Sequence, residues 1–290
     1  MRAVRRGEIF ASTALAGSAL TPAEVDALLD LGRAQGNHAF ADYLLVLAYA
    51  EAARWVADAR VLAPGDVRPL LGVEELRQLN ARVTAGTRIR GGAWRQANLA
   101  PEAGIVAPAA WMVARDVTAL LDRSARRPPS GPVSVWLARF LGRLHRLRPF
   151  EGANGRTARL AVNLMLRRLD YPPVLLEQRD RARFPAALAA AATNDPARLA
   201  TIFASALLRT SNRLSAAAET DAAPLAQLRV VAGEDYLALA KAAQRGSLRT
   251  IVRGGRYFTT PAWVAEYQRA RLGRRRGAGT ADDEKVRYQP

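Results

Sequence analysis

Cysteine is missing from all 290 residues, and histidine occurs only as His38 and His145. The first absence excludes disulfides and thiolate chemistry. With two imidazoles and carboxylates as the only remaining zinc ligands, no metal site is expected. Lysine is nearly absent too, at Lys241 and Lys285 alone, so arginine carries almost all of a formal net charge of +17. That charge attracts nucleic acid, anionic lipid or nucleotides. A composition rich in arginine and alanine also inflates it, so where the charge sits matters more than its total. No apolar run reaches the ~18 residues of a membrane span, and "MRAVRRGEIFAST" lacks the apolar stretch of a signal peptide. A cytoplasmic protein with no membrane partner is therefore expected.

Hydrophobic residues make up 50% of the chain, enough to bury a sizeable core in a main domain plus something smaller. In "ALTPAEVDALLDLG", Thr21 reads as an N-cap, Pro22 as the first helical residue, Glu24 as the partner in a capping box and Gly32 as the terminator. "GEIFASTALAG" before it reads as a short helical piece, and "HAFADYLLVLAYAEAARWVADARVL" as a central, largely buried helix. "GVEELRQLNARVTAG" is amphipathic. The pattern then breaks at "TRIRGGAWRQANLAPEAGIVAPAAWM", which reads as an irregular hairpin or flap with β-compatible pieces around Trp94 and Ile105. Helices resume at "ARDVTALLDRSARR" and "VSVWLARFLGRLHRL", and continue from "TARLAVNLMLRRLDYPP" through about Leu214.

Between two of these helices lies "LHRLRPFEGANGRTARL". A turn of Gly152, Ala153, Asn154 and Gly155 lets successive backbone N–H groups converge and opens into a helix whose first turn has unpaired donors and a positive dipole end. Arg156 and Arg159, three residues apart, can fork onto phosphate oxygens. An ordinary interhelical turn with solvated arginines is the alternative. On the flap, Trp94, Arg95 and Gln96 read either as residues that align a substrate or as an aromatic anchor for an irregular segment.

The same stretch resembles the signature of the Fic (Fido) family, His-Pro-Phe-x-Asp/Glu-Gly-Asn-Gly-Arg-x-x-Arg. Pro149, Phe150, Asn154, Gly155, Arg156 and Arg159 match it without a gap. "STALAGSALTPAEVDALL" resembles the family's inhibitory helix and the helix after it, and "GGAWRQANL" its flap. The resemblance covers over two-thirds of the chain. It implies a mainly α Fic-type core with a small β-hairpin flap, and transfer of an adenylyl group from ATP to a hydroxyl of a target protein. That reaction needs a base, a carboxylate holding Mg²⁺ and an anion cradle.

Against that pattern, Arg148 stands at the position of the catalytic His, Gly152 at that of the metal-holding acid, and Ala153 at that of the next glycine. Arginine stays protonated, so Arg148 can bind an anion but cannot act as a base. His145, three residues earlier, is either a packing histidine or a substitute base. Ala16 occupies the position of the inhibitory glutamate. The three losses together imply a pseudo-enzyme that keeps a cradle at residues 152–156 and Arg159 for ATP, another nucleotide or a phosphate ligand, with Mg²⁺ deprived of its usual carboxylate. The competing reading is a transferase in which Arg148 serves a divergent, metal-free reaction.

The C-terminal "DYLALAKAAQRGSLRTIVRGGRYFTTPAWVAEYQRAR" reads as helix, turn, helix, wing, helix, and resembles the winged helix-turn-helix modules of excisionase-like DNA-binding proteins. On that reading Ser247, Arg249, Thr250 and Arg253 lie on a recognition helix and Arg256 lies in the wing. A packing appendage or dimerisation module is the alternative. The expected organisation is N-terminal helices at 1–66, a Fic-type core at 67–214, a small-residue linker at 215–229, the winged module at 230–272 and a disordered basic tail at 273–290. The expected partners are a nucleotide or phosphate ligand and DNA, with a homodimer as a further expectation.

Overall fold

The structure, a computed structural model, describes residues 2–63, 66–101, 104–124, 131–232, 236–245, 247–253 and 255–271. The expected tail at 273–290 and most of the "PPSGP" break lie outside them. The described chain divides into two units, Met1–Ser211 and Asn212–Pro290.

The first unit is helical: α1 (Arg2–Ala14), α2 (Pro22–Leu31), α3 (Phe40–Asp58), α4 (Val73–Val83), α5 (Val113–Ser124), α6 (Val133–Leu147), α7 (Asn154–Arg168), α8 (Gln178–Arg181), α9 (Phe184–Ala192) and α10 (Ala197–Asp221), which continues into the second unit. Helix α2 follows the sequence closely. The Thr21 hydroxyl accepts the Glu24 N–H at 3.3 Å, the Glu24 carboxylate accepts the Thr21 N–H at 2.8 Å, and Gly32 ends the helix at φ 63°. Helix α3 is the central one: Val46, Tyr49 and Ala52 are fully buried. Around it α1, α4 and α7 pack, and α6 lies against α5, α7 and α9. Helices α6 and α9 approach closely at Gly142, where a Cβ would sit 2.5 Å from the backbone carbonyl of Ala191. Glycine is required there because anything larger pushes the two backbones apart.

The flap between α4 and α5 forms no hairpin of its own among the described residues. Its Trp94 instead makes an isolated antiparallel bridge with Phe150 in the loop between α6 and α7.

The second unit holds the end of α10, β1 (Ala223–Pro224), α11 (Leu225–Ala232), α12 (Tyr236–Gln244), β2 (Ile251–Arg253), β3 (Arg256–Thr259) and a helix α13 over 261–271. Its sheet has the order β1-β3-β2, all antiparallel. Two expectations are corrected here. The stretch 215–229 is structured rather than a linker: 215–221 extends α10 through its run of alanines, 223–224 is β1 and 225–229 lies in α11. The segment holding Ser247, Arg249, Thr250 and Arg253 is not a helix: Ser247 to Thr250 form a bend and Ile251–Arg253 a strand. β-Branched Thr250, Ile251 and Val252 favour the extended state, and Gly255 at φ 73° turns the chain so that Arg253 pairs with Arg256.

Candidate functional site

The loop between α6 and α7 is shaped by two residues in the left-handed region. Arg148 ends α6 at φ 40°, ψ 64°, and Ala153 caps α7 at φ 57°, ψ 19°. Just past Ala153, Asn154 clasps the chain: its amide oxygen accepts the Phe150 N–H at 2.9 Å and its amide nitrogen donates to Phe150 O at 2.8 Å. The Asn154 side chain thus builds the loop. The first intrahelical bond of α7 runs from Thr157 N–H to Ala153 O at 3.0 Å. The N–H groups of Asn154, Gly155 and Arg156 precede it, in the turn that has no intrahelical acceptor.

A second asparagine, fully buried Asn80 on α4, ties three segments together. It donates to Gly152 O and to the Thr157 hydroxyl, each at 3.0 Å, and accepts the Gly92 N–H at 2.9 Å. Sequence reasoning passed over Asn80. Its signal was a polar residue inside the apolar stripe of Leu76, Leu79 and Val83.

Trp94, Arg95 and Gln96 form the mechanical link between flap and loop. The Trp94 ring stacks on Phe150 with centroids 5.0 Å apart, and Arg77 lies 5.9 Å over its face. Arg95 is 4% exposed, and its guanidinium donates to Arg148 O (2.9 Å), Ala97 O (2.9 Å) and Pro108 O (2.6 Å), while its N–H donates to Pro149 O. Gln96 is exposed and donates to Trp94 O at 3.2 Å. Burial, then the nearby Arg148 charge, lowers the Arg95 pKa.

Arg148 itself donates from its guanidinium to Ala100 O in the flap at 3.0 Å. His145 sits half-buried in the last turn of α6. At Gly152 the space that a side chain would need belongs to Ile89, whose Cδ1 lies 2.6 Å from the position of a Cβ built there. Among the described residues no group of three or more His, Asp or Glu side chains could hold a metal. Gly152 thus supplies no carboxylate at the position where the signature holds Mg²⁺.

The two arginines of the motif point into the protein. Arg156, 8% exposed, donates to Val83 O at 2.9 Å. Arg159 donates to the Ser12 hydroxyl at 2.6 Å and to Ser12 O at 2.8 Å, so a guanidinium faces the negative C-terminal end of α1. Burial lowers the pKa of both, and their mutual repulsion adds to this at Arg156. Nearby, buried Glu8 accepts from the Tyr49 hydroxyl and, at 3.2 Å, from the Asn163 amide. Burial pushes the Glu8 carboxyl up to about 7, against the opposing pull of Tyr49, Arg159 and Asn163. Glu8, Ser12, Arg159 and Asn163 line a small space of about 20 Å³, enough for a water molecule. The sequence offered Ser12 within "STALAGS", but Glu8 betrays itself only as an acid beside the buried positions Val4, Ile9 and Ala11.

In the second unit the expected DNA-facing residues separate. Ser247 closes α12, its hydroxyl and N–H both donating to Ala242 O at 3.0 and 2.9 Å. The Arg249 guanidinium lies 4.7 Å over the Trp263 ring, and Arg249 O accepts the Thr259 hydroxyl at 2.8 Å. Thr250 is half-buried before β2, Arg253 ends β2, and exposed Arg256 begins β3 across the turn.

No family model and no curated protein matches this chain. Solved structures do. A Fic-domain-containing signalling protein from Bacteroides thetaiotaomicron is 23% identical, with a TM-score of 0.56 over 73% of this chain and 81% of that one. A Fic family protein from Desulfovibrio desulfuricans is 19% identical, with a TM-score of 0.56 over 90% and 87%. Fic-1 (residues 134–508) from C. elegans is 19% identical, with a TM-score of 0.62 over 75% of this chain and 65% of that one. The chain therefore has a mostly helical, Fic-type fold.

Proposed function

We propose that this chain is a DNA-binding regulator whose Fic-type domain no longer carries out adenylyl transfer and retains a place for a phosphate-bearing ligand. The observation that carries the reading is the state of the two positions where transfer chemistry would need a base and an acid. At the first, Arg148 bears a guanidinium that stays protonated and is spent on Ala100 O. At the second, Gly152 offers no carboxylate and Ile89 fills the space beside it. Neither position supplies a general base or a metal-holding carboxylate.

The phosphate-site reading rests on the first turn of α7, where the N–H groups of Asn154, Gly155 and Arg156 and the helix dipole favour an anion. Arg95 with Arg148 and Arg156 with Arg159 are like-charged neighbours whose repulsion an anion would relieve. ATP, another nucleotide or a simpler phosphate compound has the required chemistry. For Arg159 to reach such a ligand, its bonds to Ser12 must break.

DNA binding is supported by the second unit. Between β1 and the β2–β3 hairpin come two successive helices, α11 and α12, and the order β1-β3-β2 is compatible with a winged helix-turn-helix module. Over the expected module, residues 230–272, the chain carries seven Lys and Arg against three acids, Glu234, Asp235 and Glu266.

The test uses the full-length chain. With Mg-ATP labelled on the α-phosphate, no label should pass to the protein or to a cell extract, and duplex DNA should bind with an affinity that falls steeply as salt rises. Robust labelling abolished by Arg148→Ala would establish instead the divergent transferase, which the open N–H groups of α7 also favour. Absence of DNA binding at low salt would remove the regulator reading.

A further inference from the structure

We infer that α12, not the segment that follows it, reads the DNA bases, with Lys241 and Gln244 as the side chains that meet base edges. The inference rests on the DNA-binding reading above and assigns its specificity.

The argument begins with what each face of α12 does. Leu239, Ala242 and Ala243 are buried in a small core with Leu225, Leu248 and Val264. That fixes the rotation of the helix. Leu237, Lys241 and Gln244, four and then three residues apart, line up along the opposite face, and all three are exposed. No hydrogen bond or ion pair with another described residue engages the side chain of Lys241 or Gln244. Residues 247–250, in contrast, are occupied by the fold. Ser247 caps α12, Leu248 is 1% exposed, and Arg249 spends its guanidinium on Trp263 and its carbonyl on Thr259. They form the bend that turns α12 into β2.

Charge and chemistry name the occupant of this face. The positive balance of residues 230–272, seven cations against three acids, matches a phosphate backbone. Gln presents a donor and an acceptor that pair with adenine N6 and N7, and the Lys ammonium donates to guanine O6 or N7, both in the major groove. Leu237 offers an apolar surface of the kind that meets a thymine methyl. Arg245, exposed just past the end of α12, and Arg256, exposed at the hairpin, are placed for phosphates, which position a protein without reading sequence.

The experiment selects a preferred duplex from a pool of randomised double-stranded DNA with the full-length protein, then compares binding to it and to a scrambled duplex. Lys241→Ala and Gln244→Ala should each cut the ratio of selected to scrambled affinity by about tenfold, with little change on the scrambled duplex. Arg256→Ala should weaken both duplexes alike and reduce the salt slope by about one. Far-ultraviolet circular dichroism melts superimposable on the unaltered protein establish that the exposed substitutions leave the fold intact. Retention of the full ratio by both Lys241→Ala and Gln244→Ala overturns the assignment, and so does binding by the unaltered protein without any sequence preference. If the unaltered protein binds no duplex even at low salt, the DNA-binding reading itself has failed, an outcome distinct from misplaced specificity.

Discussion

Asn154 and Phe150 close a ring across the α6–α7 loop, with the Asn154 amide accepting the Phe150 N–H at 2.9 Å and donating to the Phe150 carbonyl at 2.8 Å. One side chain here satisfies both backbone groups of a residue whose ring is buried and stacked on Trp94. The asparagine of the signature is accordingly a builder of the loop, and its loss is expected to be felt as instability.

Asn154→Ala removes both bonds and leaves a largely buried N–H and C=O without partners. Each such group costs about 1–3 kcal/mol, so a loss on the order of 3 kcal/mol is expected in urea unfolding. Asn154→Asp keeps the acceptor and loses the donor, and should fall between the two. An alanine variant as stable as the unaltered chain would show that the clasp contributes nothing.

Glu8 sets a pH dependence with a definite sign. Its carboxyl is raised from 4.5 to about 7 by burial, while Tyr49, Asn163, Arg159 and Arg5 act in the opposite direction. The folded state therefore holds a proton that the unfolded chain has already released. The stabilisation is complete below the unfolded value, near 4.5, and is lost as pH rises through about 7. The span corresponds to a change on the order of 3 kcal/mol. Glu8→Gln keeps an oxygen to accept from Tyr49 and Asn163 and cannot ionise. Its urea midpoint should decline less between about pH 5 and pH 8 than that of the unaltered protein. Parallel pH profiles for the two proteins would contradict the burial argument.

The reach of the sequence varied with how local the determining physics was. Thr21, Pro22, Glu24 and Gly32 fixed α2 through contacts within a few residues, and all four act as expected. The loop from Pro149 to Arg159 was legible as an interhelical turn for the same reason. The direction of its arginines was not, because Arg156 reaches Val83 on α4 and Arg159 reaches Ser12 on α1, partners 73 and 147 residues away. The buried set of Glu8, Tyr49 and Asn163 is equally non-local. At 247–253 the pattern misleads by period: a turn followed by three β-branched residues, Thr250 to Val252, suggests a helix start, whereas the strand forms because the turn at Gly255 gives it β3 as a partner. Alanines 216–218 suggest a linker because they carry no hydrophobic stripe, yet their helix propensity extends α10.

Gly142→Ala should be among the most damaging single-methyl additions to the chain. A Cβ there meets backbone atoms of Ala191 at 2.5 Å, and backbone cannot swing aside as a side-chain tip can. Overpacking of this kind costs about 1–3 kcal/mol or more, which would appear as a lowered urea midpoint with an unchanged slope. A midpoint within error of the unaltered protein would mean that α6 and α9 separate without penalty.

Gly152 presents the opposite case, and it bears on whether a carboxylate could be put back where transfer chemistry would need it. A Cβ there meets the tip of Ile89, with Cδ1 at 2.6 Å and the next two carbons at 3.3 and 3.4 Å. The obstruction is a flexible side chain, so its removal should release it. In a double-mutant cycle, Gly152→Glu should be destabilising beside Ile89 and less so beside Ile89→Ala, with a coupling of about 1 kcal/mol. Urea unfolding of the four proteins measures that difference directly. Additive effects would mean that Ile89 yields at no cost and that its presence is not what keeps an acid out of the loop. A clear coupling would mean that the site has been repacked around the missing acid, so that restoring catalysis would require at least two compensating changes rather than one.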